Sequence, residues 1–271
     1  MSGGPPAGPL VDVHAHFLHA GCGRTDWAAR NESRLAAGAR IGVTVHVASI
    51  LGSFGHTSPT YFPSPDDVSA GNEAMRDIAR AHPGLVKGYV TVNPNYTEHA
   101  LAEIRRGLAA GMVGVKLAAS RRASDPLLDP VAALAADRGV PVLQHIWQRR
   151  LREVPGQEIS DALDLAALAA RHGSTNFILA HIGGGGDWAH SLRALTDVPN
   201  VYVDLSGSGV DRGMLELCVA CVGPERLVWG CDLTMDAGWA KLQALDALGL
   251  GAEALEGIRW KTAARLFRLS V

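Results

Sequence analysis

Residues 10–16 read Leu10-Val11-Asp12-Val13-His14-Ala15-His16, a short apolar run that turns polar at its carboxyl end. Valine and leucine in so short a run favour a strand, and a strand sends alternate side chains to opposite faces, so Asp12, His14 and His16 are expected on one face. Seven similar runs follow, at 43–48, 85–92, 113–117, 140–144, 177–180, 201–205 and 227–229. Between them lie Ala/Leu-rich stretches with helical spacing. Leu101, Ile104 and Leu108 recur between a capping Thr97 and a stopping Gly111, and Ser64, Pro65 and Asp67 stand where an N-cap, a first-turn proline and a capping-box acid belong. From the first run to the eighth, about 217 residues divide into steps of roughly 31, the length of a βα unit. Eight such units predict a single (β/α)8 TIM barrel.

A doubly wound sheet alternates in the same way but carries a phosphate-binding glycine pattern. The glycine run at 183–186 follows a strand, yet a GxGxxG pattern from Gly183 would need glycine where Trp188 stands, and no Walker A pattern occurs. The run reads as a turn, with Asp187 opening the next helix. Of 271 residues 47% are hydrophobic and 19% charged, which supplies a large core and excludes a disordered chain. Lys and Arg number 25 against 27 Asp and Glu, with no basic run, so nucleic acid is excluded as a partner and a small molecule favoured. No stretch is long and apolar enough to span a membrane; the Ala-rich 161–172 carries Asp161, Asp164 and Arg171. Residues 1–9 have no basic region ahead of an apolar one and read as a flexible leader to one domain at 10–271. Four cysteines make no disulfide framework, and Cys218 and Cys221 form a lone CxxC in a helical segment, read as packing. A cytoplasmic location is expected.

The polar residues that close the runs share a position. His145 follows Pro141-Val142-Leu143-Gln144, His181 follows Ile178-Leu179-Ala180, and Asp232 follows Val228-Trp229-Gly230-Cys231. With His14 and His16 they stand at the carboxyl ends of predicted barrel strands, where such enzymes keep their active sites. Histidines at i and i+2 alone read equally well as a polar strand end. Four imidazoles and a carboxylate together read as a site for Zn2+, Mn2+ or Fe2+ with a position left for water.

On VDVHAHF at 11–17, GMVGVKL at 111–117, PVLQH at 141–145, ILAHIGGG at 178–185, WGCDL at 229–233 and TAARLF at 262–267, the chain resembles the amidohydrolase superfamily over nearly its whole length. Within it, the similarity is to the amidohydrolase-related branch of hydrolases and metal-dependent nonoxidative decarboxylases. The resemblance implies that His14, His16, His145 and Asp232 bind one divalent metal, zinc being the first choice and Mn2+ or Fe2+ the alternatives. It implies that His181 acts as acid/base or polarises the attacking water, and that the relatives' homodimer is shared. Many relatives carry Gly-Asn before Ala-Ala in the last segment where this chain has Lys261-Thr262, the mark of a divergent member. Binuclear relatives carboxylate a lysine on the fourth strand; for Lys116, substrate contact or an ion pair is the favoured reading.

Arginines follow the same strand ends: Arg121 and Arg122 after the fourth, Arg149, Arg150 and Arg152 after the fifth. Lys116, Arg121 and Arg149 are the expected grips on a substrate carboxylate, which a guanidinium binds bidentately. His46 and His56 can reach the cavity or stay structural; His19, His82, His99, His172 and His190 are assigned to surface or packing; Trp147, Trp188 and Trp239 are pocket walls or core. The favoured activity is hydrolysis of an amide, ester or lactone, with Asp232 accepting the proton of a metal-activated water. The alternatives are metal-dependent decarboxylation of a small aromatic or unsaturated acid and a non-catalytic binding protein, the latter disfavoured because all five polar residues remain.

Overall fold

Each of the eight apolar runs forms a strand. The computed structural model describes residues 8–50, 58–59, 61–147, 157–233 and 235–271. Among these, β1 (Val11–His16), β2 (Val45–Ser49), β3 (Val86–Val92), β4 (Gly114–Leu117), β5 (Val142–Gln144), β6 (Phe177–Leu179), β7 (Val201–Asp204) and β8 (Leu227–Val228) are hydrogen-bonded in chain order, each neighbour parallel. The last strand returns to the first: the Val13 N–H donates to Trp229 O at 3.0 Å and the Asp232 N–H to His14 O at 2.7 Å. The fold is thus a (β/α)8 barrel. Helices α1 (Trp27–Ile41), α2 (Pro65–Ala81), α3 (Thr97–Ala109), α4 (Asp129–Arg138), α5 (Ala162–Arg171), α6 (Trp188–Ala194), α7 (Met214–Val222) and α8 (Met235–Ala247) follow the successive strands. No helix among the described residues is long and apolar enough to cross a membrane.

Local chemistry sets the helix starts. Ser64 caps α2 by accepting from the Asp67 N–H at 3.2 Å. The capping box is only half made, because the Ser64 N–H donates to the Ser58 hydroxyl at 3.2 Å while the Asp67 carboxylate accepts from the Ser58 and Ser64 hydroxyls. Asp187 caps α6, accepting from the His190 N–H at 2.8 Å.

Parallel strands covered on both faces build two cores. Phe177, Leu179, Val115 and Leu117 face the helices, whereas Val45, Val47, Tyr89, Leu143 and Ile178 fill the barrel. The carboxyl-terminal segment, α9 (Ala252–Glu256), a π turn at Gly257–Lys261 and α10 (Thr262–Phe267), seals the barrel floor. Ala263, Leu266 and Phe267 join the interior cluster, with the Phe267 ring edge-on to Tyr89 at 5.6 Å. Chemistry is therefore left to the opposite end.

The first strand departs from simple alternation. Val11 and Asp12 oppose Val45 and His46, while Ala15 and His16 oppose Ala48 and Ser49. Three steps along β1 match two along β2, so β1 carries one extra residue, a bulge. Val13 still points inward with Val11, but Ala15 lies in the outer core, and the bulge brings both His14 and His16 to the mouth. Asp12, expected on their face, lies on the other: its partners are His46 at 3.0 Å and Arg34 of α1 at 3.0 Å. His46 accordingly faces α1 rather than the cavity, and a Cβ on Gly38 would come within 2.6 Å of its Nε2.

Candidate metal centre

At the mouth, His14 Nε2 lies 3.1 Å from His16 Nε2, and Asp232 Oδ1 lies 3.2 Å from His16 Nε2 and 3.8 Å from His14 Nε2. Each imidazole is oriented from behind. His14 Nδ1 contacts Asp204 Oδ2 at 2.7 Å, and His16 Nδ1 lies 3.4 Å from Ser49 O and 3.1 Å from Ser49 Oγ. A carboxylate only accepts, so His14 Nδ1 carries the proton and its Nε2 presents a lone pair; when His16 Nδ1 donates to Ser49 in the same way, its Nε2 presents one too. Burial and the Lys116 charge push His14 well below the usual imidazole range, which keeps it neutral. Three electron-pair donors then crowd one point, where a cation between them would offset their mutual repulsion. Two imidazole nitrogens and a carboxylate oxygen fit a divalent ion such as Zn2+ or Mn2+.

Backbone geometry is unusual at the same places. Asp232 has φ 58°, His181 φ 43° and Ala119 φ 63°, left-handed residues following β8, β6 and β4. Such residues cost on the order of 1–3 kcal/mol and persist where their surroundings hold them. The His181 N–H is held by Asp204 Oδ2 at 3.1 Å. Beside it, a Cβ on Gly184 would lie 2.1 Å from His181 Nδ1, so this glycine makes room for the imidazole itself; Gly185, with nothing within 4 Å among the described residues, opens the space beyond.

His145 stands apart from the three-residue cluster. Its Nδ1 lies 3.2 Å from His181 Nε2, and its buried Nε2 has no hydrogen-bond partner among the described residues. Trp147 stacks on His145 at 5.5 Å and Tyr61 flanks it at 5.1 Å. Burial lowers the pKa of both His145 and His181. Lys116 is fully buried with Nζ 3.1 Å from His14 Nε2. Burial draws its pKa down to about 8 against the opposing pull of Asp232 and Asp204.

The other expected residues lie further out. Arg121 faces Asp125 at 3.6 Å in a surface ion pair. Trp188 donates to Asp211 at the surface, and Trp239 packs on the outer core. Arg149, Arg150, Arg152 and His56 lie outside the described residues, as does most of the leader.

Two buried groups escaped the reading of the sequence. Asp204 joins the His14 ring to the His181 backbone, yet it closes Val201-Tyr202-Val203 as the other polar residues close their strands, and that signal was available. Lys241 of α8 donates to Gly207 O between the loops after β6 and β7, and nothing in its helical context announces it. Asp204→Asn, which weakens the support behind His14, should lower metal affinity about 10- to 100-fold. A chelator-competition titration checks this, and unchanged affinity would count against the role given to Asp204.

The barrel is shared with proteins of known structure. 5-Carboxyvanillate decarboxylase from Sphingomonas paucimobilis is 17% identical with a TM-score of 0.72, over 97% of this chain and 99% of that one. The corresponding enzyme from Novosphingobium aromaticivorans, complexed with manganese and 4-hydroxy-3-methoxy-5-nitrobenzoic acid, is 15% identical with a TM-score of 0.68, over 97% of each chain. A provisionally assigned 2-pyrone-4,6-dicarboxylic acid hydrolase from Pseudomonas putida is 19% identical with a TM-score of 0.63, over 97% of this chain and 98% of that one. A comparison with curated proteins found no match. The sequence profile of the amidohydrolase family matches residues 11–269, and the chain belongs to this family of enzymes.

Proposed function

We propose that His14, His16 and Asp232, with His145 as fourth ligand, hold one divalent cation, zinc first among the candidates. The enzyme would use it to hydrolyse an amide, ester or lactone in a small, carboxylate-bearing substrate. The observation that carries this reading is the buried Lys116 ammonium 3.1 Å from His14 Nε2. A fixed positive charge there stabilises the oxyanion that forms when a carbonyl is attacked, and it attracts an anionic substrate. When bound, the cation lowers the pKa of a water from 15.7 toward about 7. Asp232 lies in the field of the buried Lys116 ammonium, which favours its ionised form, and is able to accept that water's proton. His181, neutral at rest, can take up that proton from Asp232 and deliver it to the leaving group, returning to its neutral form. The four cysteines are free thiols, which suits the reducing cytoplasm.

Decarboxylation is the second reading, favoured by Tyr61 and Trp147 beside His145, flat surfaces on which an aromatic or unsaturated ring can stack. A panel of lactones, esters, amides and aromatic acids separates the two, with acid release and CO2 release followed side by side. Acid release is the expected result. CO2 release alone would replace hydrolysis with decarboxylation, and neither product from metal-loaded protein would favour a binding role.

A further inference from the structure

On the far side of the β1 bulge, Asp12 and Arg34 form a clasp behind the cluster. Asp12 is fully buried; its Oδ1 accepts from the His14 N–H at 3.1 Å and the Cys231 N–H at 3.0 Å, and its Oδ2 faces Arg34 and His46. One carboxylate therefore ties the strand carrying His14 to the residue before Asp232. Arg34, whose side chain is 10% exposed, reaches in from α1. Its Nη2 donates to Asp12 Oδ2 at 3.0 Å and its Nη1 to Asp232 O at 2.6 Å. Asp232 is left-handed, and its peptide is gripped on both sides, the N–H by His14 O and the carbonyl by Arg34.

We infer that Arg34 is a positioning residue for the metal-binding carboxylate: from outside the site, it fixes the backbone turn that aims Asp232 at His14 and His16, and so sets cation affinity. The inference rests on the proposed metal site, but Arg34 itself is directed to a peptide carbonyl and the Asp12 carboxylate. A planar guanidinium spans these two acceptors with two N–H groups held in fixed relation, whereas a lysine ammonium, a single centre on a flexible stem, can satisfy one well and the other poorly. The order of affinities is therefore parent, then Arg34→Lys, then Arg34→Met.

The test is a Mn2+ titration of chelator-stripped protein, with the free ion followed by its paramagnetic resonance signal, on the parent, Arg34→Lys, Arg34→Met and His16→Ala. Arg34→Met should bind Mn2+ about 10- to 100-fold more weakly than the parent, the range typical for losing a group behind a metal site, with Arg34→Lys between the two. Melting of the metal-free proteins is measured alongside, because a merely structural role would lower the melting temperature and leave the Mn2+ affinity of the folded protein unchanged. That outcome overturns the inference; should Arg34→Met fail to fold, parental affinity in Arg34→Lys overturns it equally. A parent that binds no Mn2+, or a His16→Ala variant that binds as the parent does, would overturn the metal site itself and the inference with it.

Discussion

His14→Ala protein purified without chelator should contain little metal, where the parent retains about one ion per chain. The substitution removes one of the two imidazole nitrogens that face Asp232 and leaves His16 and Asp232 as the remainder of the three-donor cluster. It also takes away the ring that occupies Asp204 Oδ2, leaving that buried carboxylate to Ser206 and the His181 N–H. A lost hydrogen bond of this kind costs about 1–3 kcal/mol, so the variant should melt lower yet remain folded. Activity should fall to that of metal-stripped parent and should not return on adding cation at the concentration that restores the parent. Elemental analysis is the deciding measurement, and full occupancy in His14→Ala would refute the ligand assignment.

His181→Asn should behave differently, keeping metal and fold while kcat drops about 10²- to 10⁴-fold, the usual loss for a positioned proton-transfer group. Asparagine suits the test because it tolerates the left-handed backbone found at this position, φ 43°, and keeps the main-chain N–H that Asp204 accepts. Metal content and kcat need to be read from the same preparation. Loss of metal would make His181 a ligand and point to the binuclear arrangement with Lys116; unchanged kcat would remove its catalytic role.

The barrel was legible because strands sandwiched between an inner and an outer core must be apolar on both faces, so they stand out as unbroken runs such as Val142-Leu143 and Phe177-Ile178-Leu179. The candidate site was legible for a related reason: a polar residue following such a run, as at His145, His181 and Asp232, stands at the carboxyl end of its strand, where barrel enzymes keep their active sites. The bulge in β1 was hidden, since register belongs to a pair of strands and nothing in Val13-His14-Ala15 marks the extra residue. For that reason simple alternation puts Asp12 on the wrong face. Arg34 and Lys241 were out of reach for another reason: they lie on helices and are recruited by backbone carbonyls, which look alike in any sequence.

The left-handed backbone at residues 181 and 232 also limits the chemistry this scaffold can explore by mutation. Glycine adopts that conformation freely, and asparagine, aspartate and histidine at less cost than other side chains, while valine, isoleucine and threonine resist it. Neutral drift at these two strand ends is thereby confined to a short alphabet. Within that alphabet lie a nitrogen base, a carboxylate, an amide and an empty position, so one substitution here exchanges any of these groups for another without rebuilding the turn beneath it.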